Sequence, residues 1–471
     1  MLFNSFAFVI FVIVTMALYY MPFTRRFQVW LLILSSFFFY AYNNPTLLLL
    51  LLASTLVTAL LSHAVFYDYK SKQYLWMVCG VAVSLGILAF FKYSPLIAKT
   101  LLPRQNAAAR FIMLIPLPIG ISFFTFEGVS LIVDAFRARR EGAHPLVLPP
   151  GHATHIRNTA FFVSFFPHLI AGPIIKAHQF FPQIETKRFR DIDWERAFKC
   201  LVMGYFLKMV VADNLKDQTF WIDNQVFQIK FSSLTLIFLV YGYSMQIFAD
   251  FAGYSLIAIG VAELFGYELM TNFNFPYIAR SFGEFWQRWH ISLSTWLKEY
   301  LYVPLGGNRK GNARTYAHLL VVMFLGGLWH GAAWSYAVWG TWHGMLLLIE
   351  RGLKKRFTFK EGLATNALSM AVVFFFVTVG WLFFKLPEFG NVIFYFRKIT
   401  TNLHLAHDWP KIIVVCTYSA PVILYHAYYL LKKKEGISRV LGRFDYILYA
   451  IALFLILTNS GSSNEFIYFQ F

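Results

Sequence analysis

Charge is scarce in this sequence. Only 14% of its 471 residues are charged, against about 25% in soluble domains, and 58% are hydrophobic. That balance excludes an ordinary soluble globule. Cysteine is nearly absent. Cys79, Cys200 and Cys416 each sit in apolar surroundings without CxxC spacing, which excludes a disulfide framework or a cysteine-built zinc site. All three are expected to be buried small apolar groups. No charged side chain precedes Arg25, so the basic start of a cleavable signal peptide is missing and the first apolar segment is expected to remain as a helix. The chain also lacks HExxH, GxSxG and GxxxxGK[ST]. It thus offers no signature of a zinc hydrolase, a serine elbow or a nucleotide-hydrolysing loop.

What is present is long uncharged sequence recurring along the chain, the mark of a polytopic membrane protein. Residues 3–20 read as a first crossing. Residues 27–67 carry no formal charge, about twice what one crossing requires, and Asn43-Asn44-Pro45 should divide them into two helices. Residues 74–91 read as a fourth. Residues 111–133 are interrupted early by Pro116 and Pro118, with Glu127 inside and Asp134 at the end; such segments face protein or a water-filled cavity rather than lipid.

Residues 158–173 are too broken by Pro167 and Gly172-Pro173 for a plain crossing and read as re-entrant or as a short interior helix. His152 and His155, in the preceding linker, read as surface histidines. A helix begun at Trp194 should end at Asp213-Asn214. Residues 231–249 span, and Asp250 follows within a run that stays apolar up to Glu263, so its carboxylate should face the interior. Residues 366–384, 412–431 and 446–457 are further crossings, and residues 385–411 read as a mildly charged loop. The expectation is a single all-α integral membrane domain over residues 1–471, with about ten to twelve crossings.

The net charge of +18 does not imply nucleic-acid binding. The basic residues fall in short clusters between apolar runs, among them Arg25-Arg26, Arg351 to Arg356 and Lys432 to Lys434, as in cytoplasmic loops of membrane proteins. Anionic lipid headgroups account for part of this charge.

The stretch from Arg280 to Glu350 carries the chemistry. Residues 315–349 contain no Asp, Glu, Lys or Arg yet hold His318, His330 and His343. An ionisable group in an oily run is a functional suspect. His330 lies in GGLWHGAAW, where Gly326, Gly327, Gly331, Ala332 and Ala333 leave room for close backbone approach or for a slender substrate chain. A neutral histidine there can take a proton from a hydroxyl and return it; it can equally be a packing residue bonded to a carbonyl. His290 lies in EFWQRWHISLSTW. On a continuous helix Glu284 and Arg288 would pair, His290 and Ser294 would share a face, and Trp286, Trp289 and Trp296 would suit the membrane interface. His343 in TWHG reads as structural, and His318 and His168 are weaker candidates. No close ligand spacing favours a metal among these histidines and Asp250. The basic turn with Arg309 and Lys310 can offer positive charge to the phosphates of an acyl carrier, or be a plain interfacial loop.

At these residues the sequence resembles the membrane-bound O-acyltransferase family, in its bacterial polysaccharide O-acetyltransferase branch. The resemblance rests on five blocks in order: LIAGPIIKAHQFFPQI, YSMQIFADFAGYSLIAIG, RSFGEFWQRWHISLSTWLKEYLYVPLGGNRKG, GLWHGAAWSYAVWGTWHG and the tail GSSNEFIYFQF. It implies that the family's essential histidine falls on His330 and its second polar position on His290. It also implies a ring of tilted helices around a thinned centre in a bacterial inner membrane. The implied reaction moves an acetyl group from cytoplasmic acetyl-CoA, with no permanently bound cofactor, to an extracytoplasmic polysaccharide such as an alginate-like exopolysaccharide, through a periplasmic or anchored SGNH-type partner. Peptidoglycan or cellulose as acceptor is the alternative within that chemistry, and a non-enzymatic exporter or flippase of a lipid-linked glycan is the alternative outside it. Leu256 stands where relatives often carry an acidic residue, which gives Asp250 the firmer claim to an interior polar role.

Overall fold

The computed structural model describes residues 1–471 except 69–71, 104–105, 142–144, 171, 310, 358–361, 463–465 and 468–471. Among the described residues the chain is helical, without strands. Five helices among the described residues are long and apolar enough to cross a membrane: Thr46–Tyr67, Gln73–Leu101, Ser233–Leu264, Leu363–Lys385 and Trp409–Lys432. The protein is therefore an all-α, polytopic membrane protein, as expected, although fewer helices meet that measure than the ten to twelve crossings anticipated. Ile121–Glu141 and Trp334–Arg356 are long but rich in polar groups, and Asp445–Thr458 is apolar but only 14 residues long.

The first apolar segment differs most from expectation. Its helix, Phe6–Tyr20, has 15 residues and so rises about 22 Å, less than the roughly 30 Å of a bilayer core. Met21 precedes Pro22, whose ring disfavours helical geometry there. The chain then turns by 117° into Arg25–Ala41, and the two helices together have the composition of one span.

The chain forms two compact units, one of residues 1–200 with 257–270, the other of residues 201–256 with 271–471. In the first unit the break at Asn43-Asn44-Pro45 separates Gln28–Ala41 from Thr46–Tyr67 as expected. Thr46–Tyr67 packs against Gln73–Leu101, Ile121–Glu141 and His152–Ser164. Gly128 permits one of these approaches, since a Cβ there would lie 2.8 Å from Thr58 Oγ1. Pro116 and Pro118 fall in the break before Ile121–Glu141. Glu127 and Asp134 both face inward: the fully buried Glu127 carboxylate lies 2.8 Å from buried His168 Nδ1, and Asp134 lies 2.9 Å from His178 Nδ1. His168 is thus paired to an acid, which its lone position in the sequence did not suggest. His155 is buried rather than at the surface, because its Nε2 meets Ser62 Oγ at 2.9 Å; His152 is exposed.

The segments around Asp250 form one continuous helix, Ser233–Leu264, of 32 residues, about 48 Å long at 1.5 Å per residue; its residues up to Leu256 belong to the second unit. The helix begun at Trp194 does not stop at Asp213-Asn214. It widens into a π-type turn over Phe206–Ala212 and continues through Asp213–Thr219. Residues 385–411, read as a loop, contain the helix Phe389–Thr401, whose Val392 and Tyr395 are buried; the period of its apolar residues outweighs its mild charge. The cysteines also depart from expectation. Cys79 and Cys200 are half-buried and Cys416 is exposed, on an apolar helix that meets the requirements of a span.

Candidate active site

Four segments of the second unit build the site around His290 and His330. The first begins with Ser281, whose Oγ accepts from the Glu284 N–H at 3.0 Å and caps the short helix Phe282–Arg288. Glu284 reaches back to the Arg280 N–H at 2.8 Å, one residue before the cap. Arg288 closes on Glu284 at 2.9 Å, the pairing expected from their spacing, and donates to the Asn274 carbonyl at 2.8 Å. Glu350 accepts from the Phe282 N–H and, at 3.3 Å, from the Gly283 N–H.

The helix does not run on through His290. His290 sits at φ 43°, ψ 56°, a left-handed conformation uncommon for a residue with a Cβ, and a new helix starts at Ile291. His290 and Ser294 therefore do not share a helical face. The hydroxyl beside the His290 ring is Ser292 Oγ, 3.5 Å from Nδ1, while Ser294 Oγ bonds the Trp289 carbonyl at 3.3 Å. Trp289 and Trp296 are buried rather than interfacial. Trp289 stacks on Phe285 with centroids 5.6 Å apart.

His330 is the last residue of the helix Asn312–His330, and the chain reverses through Gly331 to Ala333 into Trp334–Arg356. Glycine makes this hairpin possible. A Cβ on Gly327 would lie 2.2 Å from the Tyr336 carbonyl oxygen, and one on Gly340 would lie 2.1 Å from that of Met323, so the two backbones are in direct contact. The His330 ring is enclosed edge-to-face by Trp329 and Trp339, each 5.0 Å away, and by Phe384 at 5.4 Å. The His290 ring is 6.1 Å from it, centroid to centroid. Both histidines are buried, with 0% and 3% exposure for His290 and His330.

A cavity of about 300 Å³ reaches His330, the lower end of the range for small-molecule pockets. Gly326, Ser294, Leu297 and Trp339 line it, together with the cations Lys298 and Arg351. The exposed Asn308 also lines it and marks the side on which it opens. Of the two ends anticipated for the small residues around His330, close backbone approach is met at Gly327, and Gly326 lines the cavity. Arg309 is exposed and is not among the lining residues; Lys310 lies outside the described residues. His343 is fully buried, stacked on Phe285 with rings 5.9 Å apart and 9° from parallel.

Asp250 is interior, but its carboxylate engages neither histidine. It accepts from Lys208 Nζ at 2.8 Å and from the Ile467 N–H at 2.7 Å. Lys208 also reaches Asp213 at 2.7 Å. The next residue, Phe251, stands edge-on to the His290 ring at 4.7 Å.

A family model described as the membrane-bound O-acyltransferase family matches residues 18–387. The chain belongs to this family. One relative is the probable alginate O-acetylase AlgI of Pseudomonas aeruginosa, 38% identical over 316 residues, which cover 66% of this chain and 57% of the relative. Another is the peptidoglycan O-acetyltransferase of Helicobacter pylori, 33% identical over 339 residues, covering 68% and 63%. The teichoic acid D-alanyltransferase of Bacillus subtilis is 29% identical over 290 residues, covering 58% and 70%. The match thus spans somewhat under two thirds of the length of the first two relatives.

Four residues in and around this family member's site were not picked out from the sequence. Lys208 was legible as a lone cation in FLKMVV. Lys298 and Arg351 were visible as charges but lie 53 positions apart (351 − 298), and only the hairpin brings them to one cavity. Asn272, 18 residues before His290 and bonded to it, carries no local signal at all.

Proposed function

We propose that this membrane-bound O-acyltransferase moves an acetyl group from cytoplasmic acetyl-CoA to hydroxyls of an extracytoplasmic polysaccharide, an alginate-like exopolysaccharide, with an SGNH-type partner beyond the membrane. The observation that carries the reading is a cavity lined both by a buried histidine and by two cations, His330 with Lys298 and Arg351. A thioester whose handle bears phosphates matches that combination. The same reading extends to peptidoglycan as acceptor, which the relative from Helicobacter pylori is named for.

His330 acts as the base. Its imidazole takes the proton of the acceptor hydroxyl as the oxygen attacks the thioester carbonyl. The carbon–sulfur bond breaks, and the imidazolium gives the proton to the departing thiolate, leaving an ester, a free thiol and the original histidine. The surrounding Trp329, Trp339 and Phe384 rings keep bulk water from the thioester, which guards against hydrolysis. Arg351 belongs to the basic cluster that the charge rule assigns to the cytoplasm, so the cavity opens toward the donor. The exposed Arg309 extends the positive charge that receives it.

Hydrogen bonds to charged groups are worth about 1.5–3 kcal/mol. Lys298→Ala or Arg351→Ala is therefore expected to raise KM for acetyl-CoA about tenfold or more with little change in kcat. KM for acetyl-pantetheine, which lacks the phosphates, should not move. Initial rates of labelled acetyl transfer by the reconstituted protein measure both. An unchanged KM for acetyl-CoA in both variants contradicts the assignment of these cations.

A further inference from the structure

We infer that Asn272 is a positioning residue that fixes the tautomer of His290, holding the proton on Nδ1 and leaving the lone pair on Nε2. His290 then meets a substrate hydroxyl as a hydrogen-bond acceptor rather than meeting the thioester carbonyl as a donor. The catalytic consequence rests on the acyl-transfer reading; the tautomer itself does not.

The backbone sets the stage. The segment containing Asn272 runs beside the kink at His290, with the Asn274 N–H bonded to the Arg288 carbonyl at 2.9 Å and the Ile291 N–H to the Asn272 carbonyl at 2.9 Å. These two bonds hold His290 in its left-handed conformation, which costs about 1–3 kcal/mol and persists only where the surroundings impose it. Such an outlier is common at functional sites.

The side-chain amide then decides the proton. Asn272 is buried, 1% exposed, and one end of its amide receives three contacts. The Ser292 N–H lies 3.4 Å from Oδ1, Ser292 Oγ 2.6 Å and His290 Nδ1 3.3 Å. A backbone N–H can only donate, so the end facing it must be the carbonyl oxygen and not the NH₂ group. An amide oxygen can only accept, so His290 Nδ1 must bring a hydrogen to it. Ser292 Oγ, 3.5 Å from the same nitrogen, spends its hydrogen on Asn272 and so presents only lone pairs to the ring. Both neighbours therefore require Nδ1–H. A neutral imidazole has one N–H, and Nε2 is left as its acceptor. Phe251, edge-on at 4.7 Å and 87°, and Trp329, at 5.7 Å, confine the ring.

Family resemblance makes His290 the second polar position of the site, and this tautomer narrows what it can do there. A neutral His290 of this tautomer cannot donate through Nε2 to a developing oxyanion. It can accept the hydrogen of a second hydroxyl on the acceptor, leaving the proton of the attacking hydroxyl to His330, and so orient the acceptor beside the two rings.

The test reads the tautomer directly. In detergent-solubilised full-length protein labelled with ¹⁵N-histidine, the His290 signal is identified by its loss in His290→Gln. The one-bond N–H coupling is expected on Nδ1 in the wild type and in Asn272→Asp, which keeps the acceptor oxygen. It should leave Nδ1 or become a mixture in Asn272→Leu. Activity follows in parallel: Asn272→Leu is expected to lower kcat about a hundredfold with KM for acetyl-CoA within twofold, and Asn272→Asp to restore most of the loss. A wild-type proton on Nε2 overturns the inference, as does a folded Asn272→Leu with wild-type kcat. Equal losses in the Leu and Asp variants with the proton unmoved make Asn272 a packing residue and overturn it too. If Asn272→Leu does not fold, the wild-type and Asn272→Asp spectra still decide. Wild-type protein inert toward acetyl-CoA but protonated on Nδ1 refutes the functional reading and leaves the tautomer standing.

Discussion

Replacing His330 with glutamine is expected to lower acetyl transfer about 10²- to 10⁴-fold, the usual contribution of a general base, while the protein remains folded. Glutamine nearly fills the space of the imidazole between Trp339 and Phe384 and keeps a polar end at the cavity, but it cannot take and return a proton. His330→Ala should show the same loss of rate and in addition a lower melting temperature, since it removes a ring packed against three aromatic neighbours. The pair separates chemistry from packing. Labelled transfer at wild-type rate by a folded glutamine variant would remove His330 from the mechanism. His343→Gln is the matched control. That ring is equally buried but lies among Phe285, Trp286 and Trp339 and does not line the cavity, so its loss should act on stability ahead of rate.

The second large effect is on stability. Lys208 Nζ sits between Asp213 Oδ1 at 2.7 Å and Asp250 Oδ1 at 2.8 Å, with all three side chains at most 5% exposed. Gly253 lets the helices close over it, since a Cβ there would lie 2.8 Å from both the Lys208 nitrogen and the Gly204 oxygen. Lys208→Met keeps the bulk but strands two buried carboxylates, and breaking such a pair costs about 3–5 kcal/mol. The protein should melt markedly earlier in detergent. Adding Asp213→Asn and Asp250→Asn, which removes the stranded charges, should recover much of the loss. A Lys208→Met variant that melts with the wild type would show that the cluster does not hold the second unit together.

The extent to which these features were readable differs by physical kind. Breaks written in clustered proline and asparagine were plain: Asn43-Asn44-Pro45 and Pro116/Pro118 fall between helices, because proline removes a helix hydrogen bond and fixes φ, although the single Pro95 and Pro421 are accommodated inside helices. An acid inside an apolar run was also informative, and Asp250 and Glu127 are both buried against a partner. The glycines around His330 announced close backbone approach, which has few other residues to choose from, while local pattern left its role open between base and packing residue. The kink at His290 was not. A positive φ on a histidine leaves no trace in EFWQRWHISLSTW, which has the charge spacing of one continuous helix. It is imposed from Asn272 and Asn274, 18 and 16 residues away (290 − 272 and 290 − 274). The same holds for His155, whose burial comes from Ser62 on a distant helix. Long-range partners decide what local pattern cannot.

The central claim is that His330 lies on a route from a cytoplasmic thioester to an acceptor on the other face of the membrane. The most direct measurement uses sealed proteoliposomes of uniform orientation, with labelled acetyl-CoA outside on the face bearing Arg351 and an oligosaccharide acceptor, with its SGNH-type partner, enclosed. Labelled acetyl ester should accumulate inside with wild-type protein, and not with His330→Gln or when acetyl-CoA is supplied on the opposite face. Label that stays with the donor, or that reaches the acceptor equally in the His330→Gln variant, would contradict the account.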